Sequence, residues 1–344
     1  MISKHLFVFY FTLISLFTYS QERIQGTAYT HFQLKNKQEN IDFVVADTNF
    51  NQVKPILLFC QGSQPVPLFL DYNEQGIIPM VLNNFELKYL KSKYHVVVIS
   101  MPYTPLIVGP EKLNRQYSYI TDSSYQHSYS KDYLLADYAE NYIRRANLVI
   151  DFLFKQKWVD KNKLVVAGHS QGARVAVGIA ASNTKVTQLG LFGYSPQGRI
   201  DQLIRQIRKD VEKGKISWQK ADSLQQEQIE FYKLIHNKDT VRENPSLKSW
   251  ASFSKSTLDQ LVLLKIPIYI AYGSEDIIAD GCDFIPFRFI EKGKDNLTLK
   301  RYAGLEHNFF PISENGEVDY KNGRWIEVMN AFLDWTEGEK GNNR

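Results

Sequence analysis

The stretch Lys163-Leu-Val-Val-Ala-Gly168-His-Ser170-Gln-Gly172-Ala-Arg-Val-Ala176 constrains this chain more than any other. An apolar run of strand type ends in Gly-His-Ser-Gln-Gly, and small residues with helical spacing follow without a gap. A strand that passes straight into a helix leaves room only for a very tight turn. Glycine two residues before and two after Ser170 has a steric reason, because a Cβ at either place would strike the adjoining strand or helix. A serine on such a turn carries its hydroxyl exposed above the sheet, the arrangement of a nucleophile elbow. A second candidate, Gly193-Tyr-Ser195-Pro-Gln197, lacks the second glycine, and its proline obstructs a following helix. Ser170 is therefore the candidate nucleophile.

The rest of the chain alternates in the same way. Strand-length apolar runs fall at 29–34, 43–46, 56–60, 95–100, 164–167, 188–193, 266–272 and 297–302. The middle ones (Val96-Val-Val-Ile99, Leu164-Val-Val166, Ile268-Tyr-Ile270) are continuous rather than alternating, which suits strands covered on both faces of a largely parallel sheet. Between them, Tyr142, Ala146, Val149, Ile150 and Leu153 share one helical face. Strands alternating with helices predict an α/β sheet between helix layers. From 196 to 257 the rhythm breaks into charged amphipathic helix, with Ile200, Leu203, Ile204, Ile207 and Val211 on one stripe and Leu224, Phe231 and Ile235 on another. An insert at that point sits over the C-terminal edge of the sheet, where α/β ligands bind, and reads as a cap or lid. The expected organisation is a leader at 1–20, a core at 21–195, the helical insert at 196–257 and the rest of the core at 258–344.

The leader expectation rests on the weakly basic Met1-Ile-Ser-Lys4-His5, the apolar run from Leu6 to Leu16, and small residues at Thr18 and Ser20. That is the form of a secretory signal peptide cleaved after Ser20, too short to span a bilayer comfortably. It predicts export to the periplasm or medium, with no stable membrane insertion afterwards. A net charge of +4 over 344 residues argues against an electrostatic nucleic-acid partner. The two cysteines, Cys60 and Cys282, are read as thiols, with a disulfide between them left open by export. His and Cys spacings match no metal template, and no phosphate-cradling glycine loop is present.

A serine hydroxyl needs a base within hydrogen-bond reach and a third group to orient that base. In elbow-type sites the chain order is serine, acid, histidine. Downstream of Ser170, His236 falls in the helical insert, whereas His307 lies in Ala303-Gly-Leu-Glu-His307-Asn-Phe-Phe-Pro311, a loop that can swing an imidazole over the sheet edge. His169 reads as a packing residue. For the acid, the strand 268–273 runs into Ser274-Glu275-Asp276, making Asp276 the choice with Glu275 and Asp280 as neighbours able to take the role. The oxyanion needs preorganised N–H donors. Gln171 supplies one and Ser63, in Cys60-Gln61-Gly62-Ser63, the other.

Taken together, Gln61-Gly62-Ser63, Gly168-His-Ser-Gln-Gly172, Gly273-Ser-Glu-Asp276 and Gly304-Leu-Glu-His307 occur in the order found in the α/β-hydrolase superfamily, which the chain resembles from about Phe43 to Trp335. The detail looks closest to dienelactone-hydrolase-like and thioesterase-like enzymes and serine peptidases of that fold. The resemblance implies an eight-stranded, mostly parallel sheet, a Ser170–His307–Asp276 triad at its C-terminal edge, and an oxyanion hole from Ser63 and Gln171. Many members carry His-Gly before the oxyanion position, where this chain has Gln61-Gly62. The expected activity is that of a serine carboxylic-ester hydrolase acting on a small-molecule or short-chain acyl substrate without cofactor. A serine peptidase is the alternative, with Asp122 or Asp132 receiving an amino terminus, and a non-catalytic binding protein on the same scaffold is the third reading. The pocket walls are expected from the insert and from the tyrosine-rich segment 103–133, with Tyr117, Tyr119, Tyr125, Tyr129 and Tyr133.

Overall fold

The computed structural model describes residues 19–35 and 39–338. In chain order the strands are β1 (Tyr19–Arg23), β2 (Thr30–Lys35), β3 (Asn40–Val45), β4 (Lys54–Cys60), β5 (Phe69–Asp71), β6 (Ile77–Pro79), β7 (His95–Ile99), β8 (Ile107–Val108), β9 (Val159–His169), β10 (Gln188–Phe192), β11 (Ile268–Gly273) and β12 (Leu297–Tyr302). Nine of them form one sheet in the order β1-β2-β3-β7-β4-β9-β10-β11-β12, while β6-β5-β8 make a small separate sheet. From β7 to β12 every neighbouring pair is parallel. At the other edge β1, β2 and β3 join antiparallel.

The expected count of eight strands is corrected to nine. All eight apolar runs form strands of this sheet, and the ninth is β1, Tyr-Ser-Gln-Glu-Arg, whose residues are all exposed. A polar edge strand held only by main-chain pairing leaves no hydrophobic pattern to read. Of the expected leader, residues 1–18 lie outside the described residues, while Tyr19 and Ser20 pair with Leu34 and Gln33 of β2.

The helices are α1 (Leu87–Lys93), α2 (Lys131–Ala136), α3 (Ala139–Leu153), α4 (Gln171–Ser182), α5 (Arg199–Glu212), α6 (Trp218–His236), α7 (Lys238–Glu243), α8 (Leu247–Phe253), α9 (Leu258–Leu263), α10 (Ile285–Glu291) and α11 (Trp325–Thr336). The continuous apolar strands sort their side chains by alternation. Ile56, Leu58, Val97, Leu164, Val166, Leu189 and Ile270 pack on one face against Val149, Ile150 and Leu153 of α3 and Ala176 and Ile179 of α4. Leu57, Phe59, Val96, Val98, Val165 and Phe192 pack on the other against Leu90 of α1 and Val328, Met329 and Phe332 of α11. Each such aliphatic side chain removed from water contributes about 1.5–3 kcal/mol, so two-sided burial is what fixes the sheet between its helix layers. Among the described residues, no helix is long and apolar enough to cross a membrane.

Candidate active site

The parallel strands end in step. Cys60 pairs with Gly168, Phe192 with both His169 and Ala271 at its two edges, and Gly273 with Tyr302. The loops leaving β4, β9, β10, β11 and β12 therefore converge on one rim. Ser170, between β9 and α4, has φ +58° and ψ −122°, a left-handed conformation that side chains rarely adopt. Its N–H donates to the Phe192 carbonyl at 2.9 Å. The tightness inferred for the turn is real: a Cβ on Gly172 would lie 2.1 Å from the Cys60 carbonyl oxygen, and one on Gly168 2.3 Å from that of Gly172.

Asp276 follows β11 and is 1% exposed. Its Oδ1 accepts the Ile278 N–H at 2.9 Å, and its Oδ2 accepts Nδ1–H of His307 at 2.9 Å. The second bond leaves Nε2 of a neutral His307 as an acceptor. The imidazole crosses the end of β10 at Gly193, where a Cβ would meet its Cε1 and Nδ1 at 2.9 Å and Asp276 Oδ2 at 3.2 Å. Glu275 is exposed, and its N–H donates to the Leu305 carbonyl at 3.0 Å. Asp280 lies 4.0 Å from Arg205, and burial pushes its carboxyl up. Of these three neighbouring carboxylates, Asp276 is the one in contact with His307. His236, at the end of α6, is exposed and donates Nδ1–H to the Tyr232 carbonyl at 2.9 Å.

His169 packs as expected, with its ring 5.0 Å from Trp325, and it also does more. Nε2–H donates to the His307 carbonyl at 2.9 Å while the two rings lie 4.7 Å apart. Burial, then the neighbouring His307, push its imidazole down to about 3, so it stays neutral beside that ring.

Ser63 sits in the loop after β4, where the vacant Cβ position of Gly62 is 3.8 Å from Ser170 Cβ. The Gln61 side chain donates to the Ile99 carbonyl at 3.0 Å and ties this loop to the end of β7. Among the described residues, the N–H groups of Ser63 and Gln171 have no protein acceptor. The Gln171 side chain accepts from Arg199 of α5 and donates to Asp137 at 3.4 Å, and Arg199 donates to Ser249 at 2.9 Å. Arg174, four residues past Ser170, donates to the carbonyls of Ser195 and Lys255, one at each end of the helical insert.

Two cavities flank the loop. One of about 40 Å³ borders Gly62 and Gln171 on the α3/α4 face and is walled mainly by Ile99, Met101, Tyr142 and Val175. The other, about 300 Å³, borders Ser63, His169 and Asn308. The tyrosine-rich segment lines neither: Tyr117 and Tyr125 face solvent and Tyr133 is buried. Asp122 is exposed and bonded to Ser124, and Asp132 lines a separate cavity with Tyr103 and Arg144. Cys60 and Cys282 are free thiols, both pushed up by burial.

The sequence carries no site role for Gly193 or Arg199 and only a packing one for His169. Gly193 ends a strand that must reach the rim, which was the available signal. The contacts of His169 and Arg199 span 138 and 28 residues, and no local pattern carries them.

No family model and no curated protein matches the chain. Solved structures do. The acylaminoacyl peptidase of Pyrococcus horikoshii superposes with a TM-score of 0.52 at 13% identity, over 93% of this chain and 41% of that one. This chain thus spans about two-fifths of that protein's length. The 2,6-dihydroxy-pseudo-oxynicotine hydrolase superposes with a TM-score of 0.50 at 15% identity, over 90% of this chain and 69% of that one. At such identities the likeness is one of architecture: this chain has the α/β-hydrolase fold.

Proposed function

We propose that this chain is a serine hydrolase that cleaves a carboxylic ester of a short acyl group through an acyl-enzyme. One observation carries the reading: the Asp276–His307 pair, 2.9 Å apart, at the rim where Ser170 is held in a left-handed turn. Ser170 Oγ passes its proton to Nε2 of His307 and attacks the carbonyl carbon. The oxyanion is received by the N–H groups of Gln171 and Ser63, each such donor contributing roughly 3–4 kcal/mol to the transition state. Asp276 stays ionised and stabilises the imidazolium. Collapse breaks the ester bond, and the departing alcohol oxygen takes the proton from His307. Water then gives a proton to His307 and attacks the acyl carbon. The carboxylic acid leaves, and Ser170 Oγ recovers the proton. No step calls for a metal or organic cofactor.

The apolar cavity of about 40 Å³ beside Gly62 and Gln171 supports a short acyl group. The helical insert 196–257 serves as the lid, pinned at its ends by Arg174 and touching the nucleophile's neighbour through Arg199. The leader directs export, and cleavage after Ser20 keeps Gln21, Glu22 and Arg23 paired with β2. A peptidase needs an acid near Ser170 to bind an amino terminus. Asp122 and Asp132 line neither flanking cavity, and Asp137, the acid beside Gln171, is engaged by Ser249 and Tyr142, which favours the ester reading.

The test is covalent labelling with a fluorophosphonate beside Ser170→Ala. Wild type is labelled and hydrolyses p-nitrophenyl acetate, whereas the variant does neither, with a loss of about 10⁴-fold or more. Labelling that persists in the variant contradicts the assignment. Faster turnover of amino-acyl anilides than of p-nitrophenyl esters favours the peptidase.

A further inference from the structure

We infer that the cavity of about 300 Å³ beside the histidine loop receives the alcohol half of the ester, and that this alcohol is neutral, hydroxyl-rich and about the size of one sugar ring. The inference rests on the serine-esterase reading and adds the substrate class to it.

Position comes first. His307 hands its proton to the departing oxygen, so the departing group lies on the histidine loop's side of the reacting carbon. Asn308, directly after that imidazole, lines this cavity, as do His169, bonded to the His307 carbonyl, and Ser63. The 40 Å³ cavity lies across the sheet edge on the α3/α4 face, so the two halves of the substrate part to opposite flanks of the oxyanion loop.

Chemistry follows. None of the described residues lining the cavity is Asp, Glu, Lys or Arg, and His169 is neutral. Neither an ammonium nor a carboxylate finds an opposite charge among them. The polar groups are the amides of Asn83, Asn84, Asn308 and Gln61, the hydroxyl of Ser63 and the imidazole of His169, of which Gln61 and His169 are bonded to the Ile99 and His307 carbonyls. Among the described residues, the side chains of Asn83 and Asn84 have no protein partner, and both are exposed. The amides of Asn83 and Asn84 each offer two donors and an acceptor, and that of Asn308 keeps one donor and its acceptor beyond its 3.3 Å bond to Glu306, the complement of neighbouring hydroxyls that both give and accept. Met80 and Trp325 supply an apolar wall for the C–H face of a ring. A purely apolar alcohol would strip water from the amides and leave them unpaired. The volume is at the lower limit of small-molecule sites, about 300–1,000 Å³, which fits one ring rather than a chain.

The loop presenting these amides is itself strained. Leu82 has φ +69° with its side chain 5% exposed, so a buried anchor in a left-handed conformation immediately precedes Asn83 and Asn84. Ser170, Gln64 of the oxyanion loop and Phe309 of the histidine loop are also non-glycine residues with positive φ. Strain of this kind persists where the surroundings over-determine a working geometry.

The test compares acetate esters of four alcohols on the full chain: methyl glucoside, hexanol, choline and lactate. The expected result is a kcat/KM for the glucoside acetate about tenfold or more above the other three. The double variant Asn83→Leu/Asn84→Leu lowers the glucoside-to-hexyl ratio about tenfold or more. Should that variant not fold, Asn83→Ser and Asn84→Ser singly are read by the same ratio. Equal or better turnover of acetylcholine or hexyl acetate overturns the inference, as does a ratio unchanged in a folded variant. If wild type is not labelled by fluorophosphonate, the esterase reading fails, and saturation-transfer NMR with methyl glucoside then decides the cavity alone. A signal lost in the Asn variants supports it, and no signal in wild type overturns it.

Discussion

Two histidine–aspartate pairs lie at opposite ends of the parallel strands. At the base, His95 opens β7, with Nδ1 3.3 Å from Asp47 Oδ2, and Lys54 reaches the same oxygen at 3.2 Å. His95 is wholly buried, its ring 4.8 Å from that of Trp158 and 5.7 Å from that of Phe50. At the rim, His307 keeps 19% of its side chain exposed, and its Nε2 is left free by the bond to Asp276. The same two residue types thus make a sealed polar knot at one end and an open, oriented imidazole at the other. Strand direction decides between them. Loops leaving the C-terminal ends converge beside Ser170 and two cavities, whereas the base is closed by aromatic rings.

The sharpest way to break this comparison is to swap each carboxylate for its amide. Asp276→Asn should lower kcat on p-nitrophenyl acetate by about 10³–10⁴-fold, since the amide no longer holds the productive tautomer. Asp280→Asn and Glu275→Gln should stay within about threefold of wild type. Asp47→Asn should leave kcat per folded molecule unchanged and lower Tm, because it removes the partner of Lys54 and the neighbour of His95 in a closed site. Comparable losses of kcat at Asp276 and Asp280 would erase the distinction drawn for the rim.

How much of this was legible in sequence follows from where each signal resides. Continuous apolar runs such as Val96-Val-Val-Ile99 mark strands because burial on both faces demands them, and these and the remaining strand-length runs, eight in all, pair in the sheet. β1 is held by main-chain pairing alone, and β5, β6 and β8 pair over only two or three residues each, too short for a side-chain pattern to be read even though Phe69 and Leu70 of β5 are buried. The elbow was legible because its cause is local: Gly168 and Gly172 answer to clashes within one turn and its neighbouring strand. Gly193 belongs to a segment, around Ser195, that does not fit an elbow, yet its lack of a Cβ clears the path of His307 from a loop 114 residues on, a relation only the folded chain contains. Next to the serine in sequence, His169 reads as packing and does pack, but its bond to the His307 carbonyl is equally long-range.

A smaller effect is expected where the rim is tightest. Gly172→Ala forces a methyl group toward the Cys60 carbonyl, 2.1 Å from the new Cβ, and backbone on both sides leaves no flexible side chain to give way. Overpacking of this kind costs about 1–3 kcal/mol. Urea titration should show that loss, and kcat should fall with it, because relief requires α4 to tilt away from the loop carrying Ser63. An alanine variant as stable and as active as wild type would mean that the turn is looser than its contacts indicate.

The smallest effect separates the two ends by pH. Burial depresses both His95 and His169, the latter to about 3, whereas an unfolded histidine titrates near 6.5. Between pH 7 and 5 the unfolded chain therefore takes up protons that the folded chain refuses. Stability is complete above about 6.5 and is lost as pH falls, by at most about 1.4 kcal/mol per pH unit for each imidazole. Replacing His169 or His95 by Gln should flatten this slope, read as the urea midpoint from pH 7 to 5. Activity divides the two. His169→Gln disturbs the residue bonded to the His307 carbonyl and should lower kcat at pH 8, where His169 and His95 are neutral in the folded and the unfolded chain alike. His95→Gln, at the closed end, should flatten the stability slope and leave kcat at pH 8 in place. A loss of kcat in the His95 variant matching that of the His169 variant would show that the base and rim are coupled through β7, and that strand polarity alone does not isolate the site.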